Sequence, residues 1–199
     1  PQELEGQQIG AYLLVTLDAG SQDELDNMLE QMAELVLDAG AMDVLVADTP
    51  AKIKDAWAAR SSFLEAIMHE TKLLDECDVV VPVNKIADYL DFVNKTGEEC
   101  GLTIKSFGHA GDGNLHIYQC SNDLEEEEFK SRVDKFFEII YKEATNCGGL
   151  VSGEHGIGSG KIKYLIDSVG ETNMALMEGI KRVFDPKMIL NPGKVCYRL

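Results

Sequence analysis

The sequence lacks the hydrophobic segments that direct a protein to a membrane. No apolar run approaches the roughly 20 residues of a membrane-spanning helix. The first residues (PQELE) have neither the basic start nor the apolar run of a secretory signal. We therefore expect a cytoplasmic protein without a transmembrane segment. Residue 1 is proline rather than methionine, so we also expect a cut or processed end within a longer protein.

Positive charge is scarce. The chain of 199 residues has 18 Lys and Arg against 35 Asp and Glu, which gives a formal net charge of −17. This balance argues against nucleic acid and anionic membrane surfaces as partners, because both repel an acidic protein. An anionic substrate would need local positive charge, which a metal ion and one or two basic side chains could supply.

Paired cysteines and nucleotide-binding loops are also missing. The five cysteines are odd in number and contain no Cys-x-x-Cys, which indicates buried thiols in a reducing compartment rather than a disulfide scaffold or zinc ribbon. The pattern G-x-x-x-x-G-K-[ST] fails at His155 and Ile162, and no G-x-G-x-x-G stands between a strand and a helix. A phosphate loop and a dinucleotide fingerprint are therefore excluded.

Hydrophobic periodicity predicts interleaved strands and helices in a single domain. Strands are predicted at residues 9–17, 43–47, 78–82, 102–107 and 114–120. Helices are predicted at residues 21–40, from 50, at 84–100, from 122, at 161–166 and at 171–184, followed by a turn-rich tail. Because at least one strand pair forms an antiparallel hairpin, the predicted class is α+β, with helices packed on a largely antiparallel sheet.

Residues 106–118 predict a tight hairpin with two histidines. Asp112-Gly113 is typical of a two-residue type I′ turn, and a turn centred there places His109 opposite His116. Directly opposed residues on one face have Cβ atoms roughly 4.5–5.5 Å apart. Two imidazoles in this position can share one metal ion.

A carboxylate and a further histidine, Glu154 and His155, follow in a glycine-rich segment. Together with His109 and His116, Glu154 would make a facial triad with open positions, which suits Zn²⁺, Mn²⁺ or Fe²⁺. Neighbours in an extended segment point apart, so His155 would act as a base beside the metal. The alternative is that the histidines hydrogen-bond across the hairpin and Glu154 satisfies loop amides.

Arg60 lies within the apolar stripe of a predicted helix, formed with Ile53, Trp57, Leu64 and Ile67. An unpaired guanidinium is costly in such a place. From the residues alone, an arginine that reaches solvent or pairs with a structural carboxylate is favoured over one that awaits a substrate carboxylate.

Three motifs in order resemble the C-terminal domain of FAD-linked 2-hydroxyacid oxidases and dehydrogenases, the relatives of the glycolate oxidase large subunit, D-lactate dehydrogenase and D-2-hydroxyglutarate dehydrogenase. They are residues 108–116 (GHAGDGNLH), 152–158 (SGEHGIG) and 190–195 (LNPGKV). The resemblance covers essentially the whole chain. It implies a ferredoxin-like cap domain with a helical C-terminal extension, and an N-terminal FAD-binding domain that this chain does not contain. The isolated chain is then expected to lack redox activity.

The resemblance also implies roles for individual residues. The implied metal ligands are His109, His116 and Glu154. His155 is implied as the catalytic base and Arg60 as the partner of the substrate carboxylate. Further implied positions are Tyr118 for the substrate and Asn191 and Lys194 for the cofactor, the last two in a tail that returns towards the flavin domain.

Two positions depart from the hydroxyglutarate enzymes of this group. Leu64 and Glu76 align, with Tyr118, to polar substrate contacts. Leu64 cannot hydrogen-bond a ligand, and Glu76 would repel a second carboxylate. These departures favour a short 2-hydroxy acid such as D-lactate or glycolate over 2-hydroxyglutarate.

The function that the resemblance implies is oxidation of a short D-2-hydroxy acid to the 2-oxo acid, with hydride transfer to FAD and help from a divalent metal. The alternative is an interaction module that docks a flavoprotein or an electron-transfer flavoprotein through its acidic surface, with a structural metal. An open coordination position supports catalysis, whereas a closed shell supports the structural role. A metal-dependent hydrolase is a third, weaker hypothesis, because the sequence has no second metal cluster.

Overall fold

The computed structural model describes the backbone of residues 3–4 and 7–196 and the side chains of residues 9–196. The chain divides into two compact units, Pro1–Ser61 and Ser62–Leu199. Each unit is described by itself below.

The first unit combines a short strand pair with two helices. The strands are β1 (Glu3–Leu4) and β2 (Gln7–Gln8), which pair antiparallel, and the helices are α1 (Gln22–Asp38) and α2 (Pro50–Ser61). Helix α1 begins where its sequence predicts. The Ser21 hydroxyl accepts a hydrogen bond from the Glu24 backbone N–H, and the Glu24 carboxylate accepts one from Gly20. This reciprocal cap satisfies N–H groups that a helix start leaves without partners.

Two strands predicted in this unit are wrong. Residues 9–17 and 43–47 form no strand, and most of their side chains are exposed, including Leu13 at 68% and Leu45 at 89%. A strand is stabilised by the neighbouring strand that pairs with its backbone groups. Apolar, β-branched composition favours a strand only where such a partner exists, and neither segment pairs with a described strand.

The second unit is built on a three-stranded antiparallel sheet in the order β3-β5-β4. Its strands are β3 (Leu73–Val80), β4 (Thr103–His109) and β5 (Asn114–Ser121). The helices are α3 (Phe63–Glu70), α4 (Ile86–Cys100), α5 (Glu126–Asn146) and α6 (Ile162–Phe184), with a 3₁₀ turn at Val83–Lys85. The predicted α+β class with an antiparallel sheet is confirmed.

The two faces of the sheet have different coverings. On one face, Ile117 and Val79 pack against Val93, Phe136 and other apolar residues of α4 and α5 in the main core. The other face carries a small cluster with Tyr118 and Cys120, and the histidines of β4 and β5 lie on this same face. Because β5 lies in the centre, its residues are buried from Asn114 to Cys120. A side chain on β5 is therefore held on both sides by the sheet.

Helix α6 has a break that the sequence predicts. Two separate helices were expected at residues 161–166 and 171–184. In the structure, α6 consists of two helical parts that meet at Gly170, whose φ of 77° and ψ of 165° are not helical. Glycine adopts this positive φ at little cost. Although α5 and α6 are the longest helices described, no helix in the described part of the chain is long and apolar enough to cross a membrane.

Candidate active site and metal centre

The hairpin between β4 and β5 differs from the predicted one. The register pairs His109 with Asn114 and Phe107 with His116, so the connecting loop has four residues, 110–113. The predicted two-residue turn, and with it a directly opposed histidine pair, is wrong. The Asp112 carboxylate caps the loop by accepting the Asn114 N–H at 3.0 Å.

The shift in register keeps both histidines on one face. The partner of His109 moves by two positions along β5, and side chains alternate between faces with a period of two. His109 and His116 therefore become diagonal neighbours, with ring centroids 6.2 Å apart. Diagonal neighbours on one face remain within reach of long and aromatic side chains.

Three predicted metal ligands converge in the structure. One ligand atom each from His109, His116 and Glu154 lies within 4.8 Å of the others, and His116 Nε2 is 3.0 Å from Glu154 Oε1. The His116 side chain is only 6% exposed, whereas Glu154 is 54% exposed. Two imidazole nitrogens and one carboxylate oxygen are a donor set that suits a divalent transition metal. The exposed side leaves room for a further ligand.

The loop of residues 152–160, here called the glycine-rich loop, is anchored by a buried carboxylate. Asp78 of β3 is fully buried. Its Oδ2 atom accepts backbone N–H bonds from Gly153 at 2.7 Å, Glu154 at 2.8 Å and His155 at 3.0 Å. Three successive amides thus converge on one oxygen atom. This arrangement fixes the backbone from which Glu154 and His155 project.

Lys161, immediately after the loop, neutralises the Asp78 carboxylate. Its ammonium group forms a buried ion pair with Asp78 Oδ1, and the Ser152 hydroxyl donates to both oxygens. Burial alone would raise the pKa of Asp78. The hydrogen bonds from Lys161 and from the amides of the loop outweigh this effect and hold the pKa well below its usual range.

Glu76 joins two of the histidines. Its Oε1 atom lies 3.2 Å from His116 Nδ1 and 3.4 Å from His155 Nδ1. The two imidazole rings are neighbours, with centroids 4.8 Å apart. Glu76, His116 and His155 form a second group whose ligand atoms lie within 4.8 Å of one another. His155 therefore lies beside the predicted metal ligands, while its role as a base stays a prediction.

Tyr118 lies in the same region but is buried. Its side chain is 3% exposed, and its ring stacks on Phe107 with centroids 5.1 Å apart. Burial, and next the charge and hydrogen bond of Glu76, raise the pKa of Tyr118. A direct contact of Tyr118 with substrate stays a prediction.

Asn114 and Gly153 show how closely the glycine-rich loop approaches the sheet. Asn114 is buried, and its Oδ1 atom has no hydrogen-bond partner among the described residues. A Cβ atom added to Gly153 would lie 2.2 Å from that oxygen. Only glycine at position 153 allows the loop to lie this close to β5.

Arg60 belongs to the first unit. It lies in the last turn of α2, and the predicted apolar stripe around it is largely exposed, since Ile53 is 45% and Trp57 is 48% exposed. The predicted single helical stripe through Arg60 is therefore wrong, because α2 ends at Ser61 and α3 begins at Phe63. Its implied role with the substrate carboxylate stays a prediction from the resemblance.

The C-terminal tail contacts the glycine-rich loop. The Val195 N–H donates to the Gly158 carbonyl at 2.7 Å, and Lys194 Nζ lies 3.4 Å from the Ser159 hydroxyl. Asn191 adopts a positive φ of 45° in the turn before them. The structure places Lys194 next to the loop, while the cofactor roles of Lys194 and Asn191 stay predictions.

Sequence reasoning missed Asp78 and the joining role of Glu76. A signal for Asp78 was present, because a charge that precedes an apolar run (DVVVP) needs a partner if it is buried. Glu76 was noticed only as a residue that repels a second carboxylate. Its two histidine neighbours depend on the register of β3 with β5 and on the path of a distant loop.

Comparisons with known proteins agree with the motifs. A family model described as the C-terminal domain of FAD-linked oxidases matches residues 3–195. The D-lactate dehydrogenase of Anaerostipes hadrus is 61% identical over 199 residues, which cover 100% of this chain and 42% of that protein. The glycolate oxidase subunit GlcD of Bacillus subtilis is 33% identical over 93% of this chain and 39% of its own length.

A third relative carries a different substrate in its name. The D-2-hydroxyglutarate dehydrogenase of Stutzerimonas stutzeri is 28% identical over 92% of this chain and 40% of its own length. The chain thus spans about two fifths of these three relatives.

Proposed function

The chain belongs to the family of C-terminal domains of FAD-linked oxidases, and on this basis we propose that it binds substrate and metal in an FAD-dependent oxidoreductase. The proposed reaction oxidises a short D-2-hydroxy acid, of the D-lactate or glycolate type, to the 2-oxo acid. The observation that carries the proposal is the convergence of His109, His116 and Glu154 next to His155. FAD would be bound mainly by a domain outside this chain, with Asn191 and Lys194 of the tail contributing.

The three converging residues would hold a divalent ion, Zn²⁺, Mn²⁺ or Fe²⁺. When bound, such an ion lowers the pKa of a coordinated hydroxyl group. The donor set supports this role, because two imidazoles and one carboxylate leave positions open for a substrate hydroxyl and a carboxylate oxygen. His116 is fixed by the sheet, and Glu154 is fixed through the amides that bind Asp78.

His155 is the proposed general base. Its Nδ1 atom faces Glu76, which leaves Nε2 on the opposite edge of the ring to accept the substrate hydroxyl proton. The hydrogen on C2 leaves as a hydride, for which the flavin is the acceptor when bound. The C–H and O–H bonds break and the C=O bond forms, so the two electrons and the proton are accounted for.

The proposed substrate class, an acid with a single carboxylate, rests on the negative charge of Glu76. The Glu76 carboxylate lies against His155 and would repel a second carboxylate on the substrate, which disfavours 2-hydroxyglutarate. The name of the Anaerostipes hadrus relative, a D-lactate dehydrogenase, supports a short substrate. Arg60 is the proposed partner of the single substrate carboxylate, in a bidentate pair.

The test compares histidine variants in a full-length protein that carries this chain and FAD. Replacing the base, His155→Ala, is expected to lower turnover of D-lactate or glycolate about 10²–10⁴-fold while the metal content stays unchanged. His109→Ala is expected to remove the metal. His69→Ala, a change in an exposed histidine of α3, is the matched control and should change neither quantity. Full turnover in His155→Ala would contradict the assignment.

The rival function is an interaction module with a structural metal, docked to an electron-transfer flavoprotein or another flavoprotein. The net charge of −17 is compatible with such a surface. Against it, His109 and Glu154 are both exposed, which favours a site that exchanges ligands over a closed shell. Two measurements separate the catalytic function from the interaction module: elemental analysis of the metal, and reduction of the flavin by substrate. An interaction module with a structural metal would retain the metal, but added substrate would not reduce the flavin.

A further inference from the structure

We propose that Glu76 is a positioning residue that orients two imidazoles of the site, His116 and His155, through a single carboxylate oxygen. The proposal rests on the proposed function for the roles of the two histidines as metal ligand and base. Nothing in the motifs marks Glu76 for this task, because it lies on β3, outside all three motifs.

The register of the sheet brings Glu76 to His116. Glu76 pairs with Tyr118, and Asp78 pairs with His116, so Glu76 and His116 are diagonal neighbours on one face. Diagonal neighbours are within reach of long side chains, and the resulting distance between Glu76 Oε1 and His116 Nδ1 is 3.2 Å. His155 approaches the same oxygen from the glycine-rich loop, at 3.4 Å.

The chemistry of the shared oxygen determines where the protons lie. An ionised carboxylate only accepts hydrogen bonds, so the His116 Nδ1 atom that is bonded to it carries a hydrogen. The proposal assigns a hydrogen also to His155 Nδ1, which lies 3.4 Å from the same oxygen. A neutral imidazole with a hydrogen on Nδ1 has its lone pair on Nε2. In His116 the Nε2 lone pair would then be available to an ion shared with Glu154, whose carboxylate lies 3.0 Å away. In His155 the Nε2 atom remains available to accept a proton.

A single carboxylate thus prepares two different functions. In metal sites, a carboxylate behind a ligating histidine fixes the tautomer and the direction of the ring. In catalytic triads, a carboxylate behind a histidine base does the same. Glu76 meets both descriptions at once, because the two rings lie 4.8 Å apart with an interplanar angle of 34°.

Glu76 is itself held in place. Its charge contributes to the raised pKa of the neighbouring Tyr118, and Tyr118 is fixed by burial and by stacking on Phe107. The Glu76 side chain is 28% exposed, so most of its surface is covered. The proposal treats Glu76 as a positioned acceptor rather than a free surface charge.

Glu76 could instead bind the metal directly, together with His116 and His155. That role predicts the opposite position of the hydrogens on the two imidazole rings. The nitrogens that face Glu76 are both Nδ1. A metal bound there would occupy the Nδ1 atoms, which would then lack hydrogens. The position of the ring hydrogens distinguishes the two roles.

The first measurement is long-range ¹H–¹⁵N NMR of the histidine rings in the metal-free chain, at a pH at which the rings are neutral. The chain carries Glu154→Ala, because the Glu154 carboxylate would otherwise compete for the His116 hydrogen at Nε2. In this background His116 and His155 are expected to carry the hydrogen on Nδ1. After the further change Glu76→Ala both rings are expected to lose this preference, while His109 stays unchanged. Glu138→Ala, which removes an exposed carboxylate paired with Lys163, is the matched control and should leave all rings unchanged.

The second measurement is the affinity of the chain for Zn²⁺ and Mn²⁺ by calorimetry. Glu76→Ala is expected to weaken binding about 10- to 100-fold. Glu76→Gln keeps an acceptor oxygen and is expected to recover part of this loss. Tyr118→Phe, which removes the hydroxyl next to Glu76, is expected to give a smaller loss in the same direction and serves if Glu76→Ala does not fold.

Two results would overturn the proposal. One is a folded Glu76→Ala or Glu76→Gln chain with unchanged ring hydrogens and metal affinity. The other is a Zn²⁺-loaded chain whose His116 and His155 rings carry hydrogen on Nε2. If the unchanged chain binds neither metal, the proposed metal centre fails. The ring hydrogens of the metal-free chain then still decide whether Glu76 orients the two histidines.

Discussion

The sheet and the glycine-rich loop both deliver residues to the site, but they hold them by different means. His109, His116 and Glu76 lie on strands, where ladder hydrogen bonds fix the backbone that carries each side chain. Glu154 and His155 lie on a loop without a ladder, where the amides bind Asp78. The precision of the loop thus depends on one carboxylate. A substitution that removes the Asp78 carboxylate should therefore disturb the position of the loop far more than a substitution in the sheet disturbs the strands.

The largest effect is expected from Asp78→Asn, which keeps the size of the side chain and removes its charge. Lys161 would be left without its partner in a site where its side chain is 16% exposed. Removing one partner of a buried ion pair typically costs about 3–5 kcal/mol, and we expect a loss of this size in the free energy of unfolding, measured in urea.

The control for this change is Asp48→Asn, which breaks the exposed pair with Lys52 and should have little effect. A loss in Asp78→Asn no larger than in the control would show that the loop does not depend on this carboxylate. Metal affinity is expected to fall in Asp78→Asn alone.

Asp78 should also give the stability a specific pH dependence. Its pKa is lower in the folded protein than the usual value of about 3.9 in an unfolded chain, so the unfolded state binds the proton first. The stabilisation is then complete above about pH 5 and is lost as the pH falls through the lowered pKa. Urea unfolding of Asp78→Asn from pH 7 to pH 3 should show a shallower decline, and parallel curves would contradict this.

The next largest loss of stability is expected when a methyl group is added where the glycine-rich loop lies against the sheet. In Gly153→Ala the new methyl group would meet the buried Asn114 side chain at 2.2 Å. Such overpacking typically costs about 1–3 kcal/mol, and it should also weaken metal binding because the adjacent Glu154 moves. Gly160→Ala, where a methyl group meets nothing within 4 Å, is the control for urea unfolding and metal titration.

A change on the sheet should separate stability from binding. Ile117 is fully buried on the face opposite the histidines, so Ile117→Val is expected to cost about 0.5–1.5 kcal/mol and to leave metal affinity unchanged. The comparison of the two regions would be wrong if Ile117→Val weakened metal binding as much as Gly153→Ala at a similar loss of stability.

The smallest effect on stability is expected from Lys194→Ala. Its ammonium group makes one long, exposed contact with Ser159, so urea unfolding should not change measurably. If the implied cofactor role holds, the full-length protein should nevertheless bind FAD more weakly than the control Lys187→Ala. Equal FAD content in the two variants would remove Lys194 from the cofactor site.

Local signals in the sequence were sufficient for most helices of the fold. The cap formed by Ser21 and Glu24 fixed the start of α1, and Gly170 marked the break in α6. Residues 9–17 carry an equally clear local signal for a strand, yet no described strand pairs with them. Pairing depends on a distant partner, which local composition does not reveal.

The same limit applies to the site. The convergence of His109, His116 and Glu154 could be predicted although the turn type was wrong, because a shift of two residues preserves the face of a strand. Asp78 could not be assigned, because its partners lie 74 to 83 positions further along the chain. Long-range contacts of this kind follow from the packed fold rather than from neighbouring residues.

That separation bears on when the protein can acquire its metal during biosynthesis. The Glu154 amide and the Asp78 oxygen that holds it are 76 positions apart, and closing so long a segment of flexible chain is entropically costly. The ligand set is thus incomplete until β3, β5 and the residues beyond α5 have come together. We expect a nascent or partly folded chain to bind the ion poorly. Binding of the metal would therefore indicate that folding of this part of the chain is complete.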